Sequence, residues 1–153
     1  MSIYVTGDVH GYPIRLVDEN LNLSGYILTE KDKLIICEDF GLPWYGDEEE
    51  AKCIAWLGQK PFEILFVDGN HENHYLLSQL PEVELFGGTV GKVCDSVYHL
   101  KRGEIYTIDG KKFFCFGGAK STDKEWRVEG LSWWPEEMPS KAEMDFGLEN
   151  LIH

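Results

Sequence analysis

Apolar and polar positions in this chain fall into short blocks, and the blocks change character near its middle. Residues 2–6 (Ser-Ile-Tyr-Val-Thr), Lys33-Leu-Ile-Ile-Cys37 and Phe62-Glu-Ile-Leu-Phe-Val67 are compact β-branched and aromatic runs. Each ends at a polar step, and runs of this length predict buried strands. Between and after them, residues 12–20, 47–60 and 72–80 predict helices. In the second of these, Ala51, Ile54, Ala55 and Leu57 fall on or near one face, and the run from Asp47 to Glu50 suits an acidic first turn, where the helix dipole favours negative charge. Strand alternating with helix is the signature of βαβ units and a parallel sheet.

The second half reads differently. Ile105-Tyr-Thr-Ile108, Asp109-Gly110 and Lys111-Lys-Phe-Phe-Cys-Phe116 predict a hairpin closed by a type I′ turn. Val97 to Leu100 predicts a further strand. After Pro139, Ser140 is placed as an N-cap and Glu143 completes a capping box, so the chain is expected to finish within or just after a helix. The pattern contains no internal repeat, low-complexity tract or linker, and one domain over residues 1–153 is expected.

Composition narrows the function. The chain has 153 residues, 43% hydrophobic and 27% charged, which describes a folded globular protein. With 14 Lys and Arg against 27 Asp and Glu the net charge is −13. That acidity opposes non-specific binding to nucleic acid, which depends on Lys and Arg neutralising phosphates, so nucleic acid is expected at most as a substrate. No apolar run approaches the roughly 18 residues of a membrane span, and Asp8 interrupts any signal-peptide core. A cytoplasmic location without membrane contact is expected. Cys37, Cys53, Cys94 and Cys115 form no metal-binding pair spacing; the first, second and fourth lie in apolar runs and are expected to act as small buried hydrophobes.

The chemistry sits at the ends of the three predicted strands: Gly7-Asp8-Val9-His10-Gly11, Asp39-Phe40-Gly41 and Gly69-Asn70-His71-Glu72. In an open parallel sheet, ligands bind beyond the carboxyl ends of the strands, so these residues are expected to converge. Carboxylates and an amide suit hard divalent ions, and imidazole extends the choice to Mn, Fe and Zn. Asp8 and His10, two residues apart, can grip one ion, and a carboxylate such as Asp39 can bridge two. Two ions about 3.5–4 Å apart polarise a phosphoryl group and generate a hydroxide nucleophile. Each piece also has an ordinary reading: Asp8 as a helix cap, Gly69-Asn70 as a turn, His71 as a loop histidine. Their succession at three strand ends favours the joint reading. The first loop is not G-x-G-x-x-G, which argues against a Rossmann nucleotide site.

This series resembles the calcineurin-like metallophosphoesterases, whose pattern is G-D-x-H, then G-D, then G-N-H-[DE], then two later histidine-bearing segments. The stretch from Phe116 to Glu137, with Ser132-Trp-Trp-Pro-Glu-Glu137, resembles a small bacterial and phage-associated branch. The resemblance covers nearly the whole chain. It implies an α/β fold, a calcineurin-like α-β-β-α sandwich, with two divalent ions, Mn2+ favoured and Fe or Zn possible. By resemblance Asp8 and His10 hold the first ion, Asp39 bridges both, Asn70 holds the second, and His71 acts at the leaving group. The implied reaction is hydrolysis of a phosphomonoester or phosphodiester by in-line attack of a metal-bound hydroxide.

Two departures qualify that expectation. Glu38 stands where the family has glycine before the bridging Asp. The later histidine segments are missing, since His74, His99 and His153 lie in no such context. The second sheet is therefore expected to be incomplete, exposing apolar surface that favours a homodimer or poor solubility. The chain then reads as a fragment of a longer enzyme, as a short variant that completes its site with water or a partner chain, or as a degenerate, non-catalytic binding or assembly module that kept the fold. Donation by His153 is the weaker possibility for a missing ligand. Trp126, Trp133 and Trp134 are expected in the core, and Lys120, Lys124 and Arg127 form a local basic cluster read either as a phosphate contact or as a solvated face.

Overall fold

The computed structural model describes residues 1–12, 16 and 27–152. Its main layer is a six-stranded mixed sheet built from β1 (Ile3–Thr6), β2 (Lys33–Cys37), β3 (Glu63–Val67), β4 (Glu82–Leu85), β5 (Gly88–Cys94) and β6 (Val97–Leu100), in the order β1-β2-β3-β6-β5-β4. β1, β2, β3 and β6 run parallel, with Thr6 opposite Ile36 and Ile36 opposite Phe66. β4 and β5 extend the sheet antiparallel from β6. The three expected strands and the one over Val97–Leu100 are present. The expected helix over 12–20 and His153 lie outside the described residues.

Alternation along the parallel strands divides two cores. Leu34, Ile36, Ile64, Phe66 and Val97 face one side, against Leu57 of α1 (Glu48–Leu57) and Leu77 of α2 (His74–Ser78). Ile35, Leu65, Val90 and Leu100 face the other, against Tyr106, Ile108 and Cys115. These last belong to a second, two-stranded sheet, β7 (Ile105–Ile108) with β8 (Lys111–Phe114), and to the residue just beyond it. The hairpin turn has Asp109 at φ 52° and Gly110 at φ 72°, as a type I′ turn requires. The fold is thus an α/β sandwich of two sheets, the second of them small. Toward β1 the hairpin ends, and a groove of about 280 Å³ opens between Val5, Cys37 and Val67 on one wall and Phe113, Phe114 and Phe116 on the other.

α3 (Lys141–Ile152) begins with the capping box: Glu143 N–H donates to Ser140 Oγ at 3.2 Å, and Ser140 N–H donates to a Glu143 carboxylate oxygen at 2.6 Å. It docks on the start of the hairpin, where Asn150 Nδ2 donates to the Gly103 carbonyl at 2.8 Å.

Three local expectations are corrected. Ala51 and Ala55 of α1 are exposed; its inward face carries Glu50, Cys53, Trp56 and Leu57. Glu50 is buried because its carboxylate accepts from the N–H groups of Trp44, Tyr45 and Gly46, closing the loop before the helix. Cys37 is exposed, since its side of β2 faces the groove rather than the second sheet. Trp134 is buried, Trp133 half-buried, and Trp126 is 83% exposed, so the three tryptophans do not form one core.

Candidate metal centre

The site lies beyond the carboxyl ends of β1, β2 and β3. Parallel register brings these ends level, and backbone hydrogen bonds stitch their loops together. Asp39's carbonyl accepts from Val9 N–H at 3.0 Å and His10 N–H at 2.7 Å, and Gly11 N–H donates to the Phe40 carbonyl at 2.8 Å. From the other side, Glu38 N–H donates to the Val67 carbonyl at 3.1 Å. The contact between the first two loops is close: a Cβ at Gly41, whose φ is +77°, would lie 2.6 Å from Gly11 N. Only glycine meets both demands.

Asp39 is the centre of the arrangement. Its Oδ1 accepts from His71 N–H at 2.8 Å, and its Oδ2 lies 3.0 Å from His71 Nδ1 and 4.0 Å from His10 Nε2. The His10 and His71 rings meet edge to face at 4.8 Å. One ligand atom from each of His10, Asp39 and His71 falls within 4.8 Å of the other two, the spacing of donors that share a cation. Asp8 stands at the rim, with Oδ2 3.6 Å from His10 Nε2 and a half-exposed side chain. Asn70 precedes His71 in the β3 loop, and its Nδ2 donates to Ser121 Oγ at 3.0 Å, which fixes the amide plane. Of the five residues singled out in the sequence, the structure brings His10, Asp39 and His71 together, and Asp8 adjoins them through His10. The tight cluster joins His71 to His10 and Asp39, with Asp8 and Asn70 outside it.

Backbone strain is concentrated here. His10, Glu38 and Asp39 have φ values of 52°, 70° and 50°, left-handed conformations that non-glycine residues adopt at a cost and that gather at functional sites. Glu38 thus keeps the backbone conformation of a glycine while carrying a fourth carboxylate into the neighbourhood. Its partial burial, and then the charges of Asp39, Asp8 and Asp68, raise its pKa above the usual carboxylate range. Carboxylates crowded in this way repel one another unless a cation intervenes. Together with the imidazoles, they form a mixed oxygen and nitrogen donor set that fits a divalent transition metal.

Buried polar groups that sequence inspection overlooked hold the site from beneath. Glu72 is fully buried and accepts from Phe40 N–H at 2.8 Å and Gly41 N–H at 3.0 Å, fastening the β2 loop to the β3 loop. Burial raises its pKa well above the ordinary value, and the charges of Asp68 and Asp39 add to the rise against the lowering effect of the two N–H groups. Asp68 is also buried, with Oδ1 3.0 Å from His99 Nε2 and Oδ2 accepting from Arg102 Nε at 2.8 Å. Burial opposes its ionisation, but the His99 contact and then the Arg102 guanidinium prevail and hold it well below the usual range. Glu72's place in the third motif was its one visible signal; nothing local marked Arg102.

Above the site runs the segment from Gly117 to Glu137. Gly118 N–H donates to the Asp68 carbonyl at 2.8 Å, which anchors its start. Glu137, fully buried, accepts from Ser121 N–H at 2.9 Å and Oγ at 2.7 Å, and Ser121 in turn holds Asn70. Trp44 and Trp134 close its far end, edge to face at 5.3 Å. Beside the cluster opens a cavity of about 500 Å³ lined by His10, His71, Tyr12, Trp44 and Tyr45 among others.

A mixed sheet whose first three, parallel strands end at a His-Asp-His cluster, backed by a small second sheet, defines an α/β sandwich with a candidate metal site. The chain belongs to the calcineurin-like phosphoesterase family, whose model matches residues 1–149. No curated protein and no solved structure gives a significant match to it.

Proposed function

We propose that the protein is a metal-dependent hydrolase of phosphate esters, and that Asp8, His10, Asp39 and Asn70 are its metal ligands. The observation that carries this reading is the convergence of His10, Asp39 and His71 at the ends of three adjacent parallel strands, in a member of a phosphoesterase family. A divalent ion pair, Mn2+ in the first instance, would supply Lewis acidity toward a phosphoryl oxygen and acidify a coordinated water.

The chain's own residues do the rest. Asp39 orients His71 through both carboxylate oxygens, one on the backbone N–H and one on Nδ1. With Nδ1 directed to the carboxylate, Nε2 faces away from Asp39 and meets Arg127 Nη2, so the ring must be doubly protonated and part from Arg127 to pass a proton to a departing alkoxide. His71 is therefore the catalytic residue in this reading, and its ring lies within reach of the ion site without being surplus to it. The cavity lined by Tyr12, Trp44 and Tyr45 seats the organic part of the ester beside the phosphoryl group. Asp8 adjoins His10 and Asn70 precedes His71, which suits one ligand for each ion.

Metal stoichiometry tests the reading against a non-catalytic module. Metal-stripped protein dialysed against Mn2+ is expected to retain two ions per chain by elemental analysis. One ion or none would favour the module.

A further inference from the structure

The cavity beside the cluster opens on His10 and His71, and its walls limit what it can hold. Its volume, about 500 Å³, falls within the range of small-molecule sites, roughly 300–1,000 Å³. Tyr12, Trp44 and Tyr45 line it together with Leu42 and Cys53. Tyr12 is 63% exposed and Tyr45 78%, while Trp44 is half-buried. A lone exposed aromatic needs no explanation. Three that share one cavity with candidate metal ligands form a patch, and such patches mark binding sites.

The loop carrying two of these rings is held in advance. Buried Glu50 accepts from the N–H groups of Trp44 at 2.6 Å, Tyr45 at 3.0 Å and Gly46 at 2.7 Å. The Trp44 carbonyl accepts from Asn73 Nδ2 at 2.7 Å, and Asn73 also caps α2 by accepting from Leu76 N–H at 3.0 Å. The Trp44 ring itself packs edge to face on Trp134. A wall ordered before the ligand arrives loses little freedom on binding.

Charge sets a second limit. Besides the two histidines, the ionisable walls include Asp47, Glu49 and Glu50, and among the described residues no Lys or Arg lines the cavity. A phosphate or carboxylate placed there would face carboxylates with no cation to offset them.

We propose that this cavity selects phosphate esters whose alcohol part is a flat aromatic group, a nucleobase or an aryl ring, bearing no further negative charge. The ring stacks among Tyr12, Trp44 and Tyr45 while the phosphoryl group lies at His10 and His71. The inference rests on the phosphoesterase reading and deepens it by naming the substrate class. A sugar bisphosphate is excluded, since its second anion would fall among Asp47, Glu49 and Glu50.

The test uses phosphonates, whose carbon–phosphorus bond is not an ester, titrated calorimetrically into Mn-loaded protein. Phenylphosphonate is expected to bind about three- to tenfold more tightly than cyclohexylphosphonate, which matches it in size but has no π-face. 4-Carboxyphenylphosphonate should bind about threefold more weakly than phenylphosphonate, or worse, because it carries a charge toward the acids. Trp44→Leu and Tyr45→Ser should each bring the phenyl and cyclohexyl compounds within about twofold of one another. The 5′-methylenephosphonate of adenosine separates the two sources: tighter binding than phenylphosphonate assigns a nucleoside, weaker binding a simple aryl ester, and either order upholds the aromatic class.

Equal affinities for the phenyl and cyclohexyl compounds in Mn-loaded wild type overturn the aromatic class and leave the phosphoesterase reading standing. So does a preference that survives in both variants, and an unweakened carboxylated compound overturns the charge limit. A wild type that takes up no Mn2+ overturns both readings. If Trp44→Leu loses its native circular dichroism, Tyr45→Ser decides by the same titrations.

Discussion

Asp39 holds His71 twice, accepting from its backbone N–H at 2.8 Å and facing its Nδ1 at 3.0 Å. One carboxylate therefore fixes the position of the β3 loop, the plane of an imidazole and the tautomer it prefers. It can do so because the β3 loop has no side chain where the carboxylate sits. A Cβ at Gly69 would lie 2.1 Å from Asp39 Oδ1 and 2.8 Å from Asp39 N.

Gly69→Ala should therefore displace Asp39 rather than be absorbed. Overpacking at a well-packed position costs about 1–3 kcal/mol, to be read from urea unfolding. The larger effect should be on metal: displaced ligand geometry is expected to weaken Mn2+ binding about 10–100-fold, the range found when groups that orient ligands are lost. A variant with unchanged Mn2+ affinity would mean that Asp39 is not a ligand.

Glu38 occupies a left-handed conformation at φ 70°. The left-handed region costs an ordinary residue about 1–2 kcal/mol and costs glycine almost nothing, although glycine also enlarges the entropy of the unfolded chain. Glu38→Gly should therefore stabilise the protein by about 0.5–1 kcal/mol in denaturant titration. It also removes one of the mutually repelling carboxylates, so the gain should be larger in metal-stripped protein than in Mn-loaded protein.

Asp68 carries a different pH signature. Its folded pKa is depressed from an ordinary 3.8 by His99 and Arg102, so its ion pair contributes stability that is complete above that value and lost as pH falls through and below it. Replacing it by Asn leaves the buried Arg102 guanidinium, among the described residues, with only Glu143, 3.5 Å away, as an anionic partner. Asp68→Asn should cost about 3–5 kcal/mol at neutral pH and flatten the acid limb of the stability profile below pH ~4. Chemical unfolding at pH 7 and pH 3 measures both.

The parts of the molecule legible in its sequence are those decided locally. The β-branched runs of β1, β2 and β3, the Asp109-Gly110 turn and the Ser140–Glu143 capping box each carry their cause within a few residues. The candidate site was legible for the same reason, since each proposed ligand follows its strand by two to four positions and the parallel register does the assembling. β4 and β5 were not legible. Gly88 and Gly91 in β5 weaken any strand pattern, and the sequence does not reveal that they make room for Tyr106 and Leu80. The exposure of Cys37 follows from where the second sheet ends, not from the apolar run that contains it. Arg127 lies 56 positions from the histidine it touches, and nothing between them announces the contact.

The central claim is most directly tested by hydrolysis of p-nitrophenyl phosphate and its bis-ester. Metal-stripped protein is assayed before and after Mn2+ is restored, beside an Asp39→Asn variant that folds as wild type does. The account predicts turnover that requires Mn2+ and disappears in the variant. A folded, Mn-loaded wild type with no turnover of either ester, or turnover that Asp39→Asn leaves unchanged, would contradict it.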